Sequence, residues 1–149
     1  MSGDRASPPE AAPELVIFVG LQGSGKSTYY ASHFSSTHLH VSKDAMPRSA
    51  KKDKIQTRMI EEALSAGKSV VIDNTSPLPA VRAPLVELAR KHGARVVAIF
   101  FDCALKTCVE RNRQREQGRV PDAVIYIAAR KLKPPPTEEG FDAVHVVRS

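Results

Sequence analysis

The sequence of 149 residues contains no tryptophan and only two cysteines, and its aromatic residues amount to 5%. Neither Cys103 nor Cys108 has a histidine at the spacing of a metal site, and a single pair is too few for a disulfide framework. No run approaches 18 apolar residues, and no basic segment precedes an apolar stretch at the start of the chain. We therefore expect reduced thiols, a cytoplasmic location and no membrane span.

The composition that remains is typical of one globular domain, with 42% apolar and 26% charged residues. Residues 1–13 include Pro8, Pro9 and Pro13 among small and charged residues, which predicts a disordered tail before a domain at 14–149. The net charge of +6 is unevenly distributed. Residues 105–133 have eight Lys or Arg against three acidic residues, and residues 43–58 have six against two. Such segments are either solvated helix faces or a surface for phosphate-rich ligands.

Short apolar runs alternate with helical patterns along the domain, which predicts an α/β fold with a parallel sheet covered on both faces. The predicted strands are 15–19, 38–41, 70–72, 96–101 and 143–147. Apolar residues at helical spacing predict the intervening helices: Ile55, Met59, Ile60, Ala63 and Leu64; Val81, Leu85, Leu88 and Ala89; Leu105, Cys108 and Val109; Val124, Ala128 and Leu132. Right-handed crossovers bring the carboxyl ends of all strands to one edge, where such folds bind ligands.

A glycine-rich segment, Gly20-Leu21-Gln22-Gly23-Ser24-Gly25-Lys26-Ser27, follows the first strand and opens a helix. This is the pattern of a P-loop, whose backbone N–H groups cradle phosphates at a helix N-terminus. In that pattern Lys26 reaches the β- and γ-phosphates of a nucleotide, and the Ser27 hydroxyl binds Mg²⁺. The segment therefore predicts an ATP site with Mg²⁺ as cofactor.

Acidic and polar residues follow three of the other strands. Ser42-Lys43-Asp44 follows the second strand, Asp73-Asn74-Thr75 the third and Asp102 the fourth. A phosphoryl transferase needs one carboxylate near Mg²⁺ and another that accepts the proton of the acceptor hydroxyl. Asp73 and Asp44 fit these two roles. The alternative for each aspartate is a helix N-cap at a strand–helix turn, which is favoured most for Asp102.

A third feature is the arginine-rich segment Arg111-Asn112-Arg113-Gln114-Arg115, followed by Gly118 and Val120-Pro121. Because Arg111 and Arg115 lie four residues apart, we expect both on one helical face. A helix, a glycine break and a second helix form a plausible lid at about 111–121, with arginines that close over the phosphates. The five histidines show no ligand spacing and are expected at the surface or at strand edges, and both cysteines are expected as small apolar side chains.

With these residues in place, the chain resembles the kinase domain of polynucleotide 5′-hydroxyl kinases over about residues 15–147. The resemblance includes Gly20 to Thr28, His40 to Asp44, Val71 to Thr75, Arg111 to Arg115 and Glu139 to Phe141. It implies the P-loop three-layer α/β/α fold with sheet order 2-3-1-4-5 and a helical lid. The implied substrates are ATP and a 5′-hydroxyl end of DNA or RNA.

The resemblance also implies roles for single residues. Asp44 is implied as the general base, and Arg111 and Arg115 as lid arginines on the donor phosphates. Asp73, Asn74 and Thr75 are implied beside the acceptor. Arg48 lies near the place of an arginine that helps to hold the acceptor phosphate, displaced by one residue.

Three hypotheses remain open on the sequence. The first is an ATP-dependent polynucleotide 5′-hydroxyl kinase, favoured by the two basic segments and opposed by the scarcity of aromatic residues for base stacking. The second is a kinase of a small metabolite, nucleoside or antibiotic on the same scaffold. The third is a non-catalytic switch that senses ATP, for which Asp44 would have no use as a base.

Overall fold

The computed structural model describes residues 12–43, 51–75, 78–136 and 140–148. Residues 1–11 of the tail predicted at 1–13 lie outside the described residues, as do Asp44 and Arg48. Five strands alternate with five helices in the order β1 (Glu14–Val19), α1 (Lys26–His33), β2 (His38–Val41), α2 (Lys52–Ser65), β3 (Ser69–Ile72), α3 (Pro79–Lys91), β4 (Arg95–Asp102), α4 (Leu105–Arg113), α5 (Asp122–Lys131) and β5 (Ala143–Arg148).

The five strands form one parallel sheet in the order β2-β3-β1-β4-β5. The α/β class and the strand order implied by the resemblance are both confirmed. β1 lies at the centre, with Val16 paired to Val71 of β3 on one side and to Val97 of β4 on the other. An unbroken apolar run at the centre of a parallel sheet is the expected pattern, since helices cover both of its faces.

Successive residues of each strand point to opposite faces, so the central strands supply two separate cores. Val16 and Phe18 pack on one face with Tyr29, Tyr30 and Phe34 from α1 and its end. On the other face, Leu15, Ile17 and Val19 pack with residues of α2 and α3, namely Ile60, Leu64, Leu85, Val86 and Ala89. A third cluster joins Leu21 to α4 and α5 through Cys108, Val109 and Ile125. The result is the predicted three-layer α/β/α arrangement.

The predicted apolar faces of four helices each include one exposed residue, namely Ile55, Val81, Leu105 and Val124. In α2, α3 and α5 the following residues, Gln56, Arg82 and Ile125, are buried instead. Gln56 accepts a 2.7 Å hydrogen bond from Asn74 Nδ2, and Arg82 donates a 2.9 Å bond to the carbonyl of Lys133. Polar contacts across the fold therefore turn α2 and α3 away from the face that apolarity alone indicates.

Loops at the carboxyl edge of the sheet are joined by backbone hydrogen bonds. Gly20 N donates to the Thr75 carbonyl at 3.1 Å, and Asp73 N donates to the Val41 carbonyl at 2.8 Å. These bonds place the segments that follow β1, β2 and β3 side by side. Among the described residues, no helix is long and apolar enough to cross a membrane.

Candidate active site

The loop after β1 depends on glycine at positions where a side chain would collide. Gly23 and Gly25 have φ of 84° and 97°, a region that L side chains rarely adopt. A Cβ atom on Gly23 would lie 2.4 Å from the Cys108 carbonyl oxygen of α4. The loop therefore passes in direct contact with α4, the helix that contains Arg111 and Arg113.

Glycine is also the N-cap of α1, so no side chain covers the first amides of this helix at Gly25. These amides have no partner within the helix, and the helix dipole places partial positive charge there. Lys26 Nζ lies beside them and donates to the carbonyls of Gly20 at 2.7 Å and Leu21 at 2.9 Å. The loop, the helix end and the lysine form a cationic cradle that suits a phosphate group.

Two buried polar atoms of the loop have no hydrogen-bond partner among the described residues, the Gln22 Oε1 and the Ser24 Oγ. Ser24 is only 4% exposed. Buried polar groups are nearly always hydrogen-bonded, so orphaned atoms in a concave loop fit a site that takes a polar ligand.

Asp73 follows β3, and its side chain is 4% exposed. Its Oδ2 accepts hydrogen bonds from Ser27 Oγ and from His40 Nε2, each at 2.8 Å. Burial acts to raise the pKa of the Asp73 carboxyl. The hydrogen bonds from His40 and Ser27, together with the charge of Lys26, nevertheless hold that pKa below its ordinary value. The carboxylate is thus kept ionised inside the site.

The pair of Ser27 and Asp73 fits a magnesium ion by its donor chemistry. A hydroxyl oxygen and an ionised carboxylate are hard oxygen ligands, and Mg²⁺ is usually bound by one or two such groups together with substrate phosphates. They adjoin each other at the mouth of the phosphate cradle. Ser27 and Asp73, the two residues predicted to hold the metal, are therefore brought together.

Asn74 and Thr75 support the site from behind. The Asn74 carbonyl Oδ1 accepts from Lys43 N at 2.9 Å, while its Nδ2 donates to Gln56. Lys43 also forms an ion pair with Asp53 of α2. These contacts fix the segment that leads from β2 towards Asp44.

The arginine-rich segment differs from its prediction in geometry. α4 ends at Arg113, so Arg115 lies in the following loop and does not share a helical face with Arg111. Both arginines nevertheless reach the same pocket. Arg111 extends towards the glycine-rich loop, with one guanidinium nitrogen 3.5 Å from the Gly23 carbonyl.

These groups line one pocket of about 560 Å³ at the carboxyl edge of the sheet. It joins the predicted residues Gln22, Gly23, Gly25, Lys26, Ser27, Thr28, Asp73, Arg111 and Arg115 with Gln117 and Gly118 of the predicted lid, and with His40 and Ser42, to which no role was assigned. The most consequential of the unpredicted residues is His40, which was expected as an ordinary strand-edge histidine. Its position just before the Ser42-Lys43-Asp44 end of β2 is the signal that could have identified it.

The two cysteines agree with their prediction as small apolar side chains. Cys108 is fully buried in α4. Burial, with Cys103 close by, raises the pKa of the Cys108 thiol to about 12. A thiol that stays protonated is a poor nucleophile, and we assign Cys108 to packing.

Residues 15–135 match the family described as an AAA domain, a match that covers most of the chain. The chain belongs to this family. With the P-loop and the sheet order above, it is a P-loop kinase domain. The similarity to polynucleotide kinases inferred from the sequence is confirmed at this level by the relatives below.

Two curated relatives are named as kinases. A putative bifunctional polynucleotide phosphatase/kinase of Acanthamoeba polyphaga mimivirus is 31% identical over 142 residues, which are 90% of this chain and 33% of the relative. The human L-seryl-tRNA(Sec) kinase is 33% identical over 81 residues, which are 54% of this chain and 23% of the relative. The chain thus spans about a third or less of the length of these two relatives.

A solved structure named as the Pnkp1/Rnl/Hen1 RNA repair complex contains a chain of the same fold. It is 28% identical, with a TM-score of 0.66, and the match covers 87% of this chain and 46% of that chain. The architecture described above is therefore one that a protein of RNA repair also uses.

Proposed function

We propose that the chain is an ATP-dependent kinase that transfers the γ-phosphate of ATP to the 5′-hydroxyl end of a polynucleotide. The observation on which this rests is the single pocket in which the P-loop, the Ser27–Asp73 pair and two arginines meet. Phosphoryl transfer requires positioned phosphates, cationic groups around them and an activated hydroxyl, and this pocket supplies the first two from described residues.

On the donor side, the amides of Gly23 to Thr28 bind the phosphates of ATP, and Lys26 turns from the carbonyls it now contacts towards the β- and γ-phosphates. Arg111 and Arg115 approach from the α4 side as lid arginines. Their fixed positive charge stabilises the negative charge that builds on the transferred group. Ser27 and Asp73 hold magnesium, which when bound neutralises phosphate charge and orients the γ-phosphoryl group.

On the acceptor side, Asp44 is the proposed general base, at the end of the segment fixed by Asn74 and Asp53. Asp44 takes the proton of the 5′-hydroxyl while the hydroxyl oxygen forms a bond to the γ-phosphorus. The bond between the γ-phosphorus and the oxygen that bridges it to the β-phosphate breaks at the same time. The products are ADP and the 5′-phosphorylated end. Arg48 is the proposed partner of the acceptor's own phosphate, and Asn74 and Thr75 shape the floor beneath it.

The choice of a polynucleotide acceptor is supported by the mimivirus relative, whose match covers nine-tenths of this chain and whose name includes polynucleotide kinase. The net charge of +6 and the basic residues between α4 and α5 are also suited to a strand of phosphates.

A second candidate is a kinase of another hydroxyl acceptor, including a small molecule. The similarity to the human L-seryl-tRNA(Sec) kinase favours it, because that protein's name gives a seryl group and not a 5′ end as the acceptor. The two candidates share the ATP site and differ only in the acceptor whose hydroxyl group Asp44 activates.

Transfer of labelled γ-phosphate to matched 5′-hydroxyl DNA and RNA oligonucleotides tests the proposal. We expect end-labelling by the wild type and a loss of on the order of a hundredfold or more in Asp44→Asn with ATP binding retained. Lys26→Ala is expected to weaken ATP binding itself. Asp102→Asn is the matched control, because Asp102 is an exposed aspartate at the end of β4, a strand that does not adjoin β2.

Three outcomes would contradict parts of this proposal. Full activity of Asp44→Asn would remove Asp44 as the base. Intact ATP binding without labelling of either oligonucleotide would favour the second candidate. Absence of ATP binding by the wild type would overturn the kinase proposal altogether.

A further inference from the structure

His40 lies outside every role assigned above, yet it is built into the centre of the pocket. It stands on β2, two residues before Ser42, and lines the pocket beside Asp73. Its side chain is one-third exposed, so one part faces the pocket while the rest is covered by neighbours.

His40 is one of two side chains that contact the same oxygen atom of Asp73, and the three residues come from separate parts of the fold. The Oδ2 of Asp73, after β3, accepts from Ser27 of α1 and from His40 of β2, both at 2.8 Å. A carboxylate that receives two hydrogen bonds from separate elements has a fixed orientation. The backbone adds a further bond, because Asp73 N donates to the carbonyl of Val41, the neighbour of His40.

The histidine is itself held in place from the other side. The Tyr30 ring packs against the His40 ring, with 4.4 Å between the centroids and an interplanar angle of 38°. The hydroxyl of Tyr30 donates to the carbonyl of His38 on the same strand. Tyr30 lies three residues after Ser27, so one face of α1 contributes both the hydroxyl on Asp73 and the ring under His40.

We propose that His40 is a positioning residue that orients the Asp73 carboxylate so that it shares a cation with the Ser27 hydroxyl. This inference rests on the proposed function, because it assigns the magnesium site of that function. Its consequence is specific: loss of the His40 hydrogen bond weakens magnesium binding in the nucleotide complex. It leaves binding of metal-free ATP and of the acceptor largely unchanged.

The test compares two variants that differ in one donor. His40→Leu removes the ring nitrogen that reaches Asp73, whereas His40→Gln places an amide nitrogen where it can replace Nε2. His145→Leu is the matched control, because His145 is an exposed histidine on β5. Binding of a fluorescent ATP analogue is measured in EDTA and then across a magnesium titration, without acceptor.

We expect His40→Leu to bind the analogue as the wild type does in EDTA. The magnesium concentration that gives half of the maximal change in analogue binding should rise by about 10-fold or more in this variant. A loss of that size is usual when a residue that hydrogen-bonds to a metal ligand is removed. His40→Gln is expected to recover most of that loss, and His145→Leu to match the wild type. Equal thermal unfolding temperatures would establish that the variants are folded.

The opposite results separate the two proposals. An unchanged magnesium titration in His40→Leu, with normal binding by the wild type, would overturn the role of His40 and leave the kinase proposal standing. Equal losses in EDTA and in magnesium would show a general defect of the pocket and also overturn it. If the wild type showed no magnesium-dependent nucleotide binding, both proposals would fail.

Discussion

Single atoms decide much of the chemistry at the carboxyl edge of this sheet. The buried carboxylate of Asp73 remains ionised because two hydrogen bonds and a nearby lysine outweigh the desolvation that burial imposes. The Ser27 and Lys26 contributions were predictable, since both residues belong to a motif with a known mechanism. The His40 contribution was harder to predict, because a single histidine in a short strand has no characteristic spacing and only its place before Ser42-Lys43-Asp44 distinguishes it.

Two effects exclude a side chain at Gly23, namely its positive φ and its close contact with the backbone of α4. A comparison with another glycine separates them. Gly67 also has a positive φ, 76°, but a Cβ there would meet nothing within 4 Å. We therefore expect Gly67→Ala to lower the free energy of unfolding by about 1 kcal/mol, the strain of the left-handed region alone.

The same change at Gly23 adds a collision with the backbone of α4, and we expect Gly23→Ala to cost about 3 kcal/mol or more and to abolish ATP-analogue binding. Urea denaturation and analogue titration check both values. Equal stabilities of the two variants would show that the loop moves away from α4 freely.

The helices and strands show how far patterns in the sequence determine an element. All five strands and the helices between them were predicted, because unbroken apolar runs and helical spacing are strong signals. One inward position was misassigned in each of α2, α3, α4 and α5, namely Ile55, Val81, Leu105 and Val124. Apolarity at neighbouring positions leaves a rotation of one residue undecided, and contacts such as Arg82 to the Lys133 carbonyl decide it.

One buried side chain links the two ends of the connection between α4 and α5 by hydrogen bonds. Asn112 is fully buried, donates to the Val120 carbonyl at 2.7 Å and accepts from Val120 N at 3.1 Å. These two bonds join the last turn of α4 to the residue just before Pro121. They hold both ends of the loop on which Arg115 lies.

We expect Asn112→Ala to destabilise the protein by roughly 1–3 kcal/mol, because it leaves both backbone groups of Val120 without their partner. Amide hydrogen exchange over residues 114–120 should accelerate, and ATP-analogue binding should weaken. Arg113→Ala is the control, since Arg113 is an exposed neighbour that contacts Asp122 at the surface. Unchanged exchange in Asn112→Ala would show that the loop is ordered by other contacts.

Across the whole molecule, the basic residues of segments 43–58 and 105–133 are not equivalent. Part of the two basic segments is paired internally, as Lys43 is with Asp53 and Arg113 with Asp122. Exposed basic residues remain within the α4–α5 connection and in the two helices it joins, among them Lys106, Arg119, Arg130 and Lys131. Surface ion pairs and exposed side chains fit solvated helix faces, and a surface for phosphate-rich ligands stays a prediction.

A polynucleotide acceptor that contacts these charges should bind in a salt-dependent manner. For about three phosphate contacts with a single strand, we expect the apparent affinity for a 5′-hydroxyl oligonucleotide to fall about 20-fold between 50 and 200 mM KCl. An uncharged-backbone oligomer of the same sequence is the control and should show a much weaker dependence. Salt-independent binding of the oligonucleotide would argue for an acceptor that is not recognised through its phosphates.

The central position of β1 has a consequence for the life of the nascent chain. Val16 of β1 needs Val71 and Val97, which are synthesised 55 and 81 residues later. At about 5–20 residues per second, the first strand is synthesised roughly 4–16 s before its second neighbour. The ATP site therefore cannot assemble while the chain is being translated through α3. A truncated product that ends before β4 would leave one edge of the apolar strand β1 without its neighbour, directly ahead of the phosphate loop, and such an edge is prone to aggregation and to recognition by chaperones.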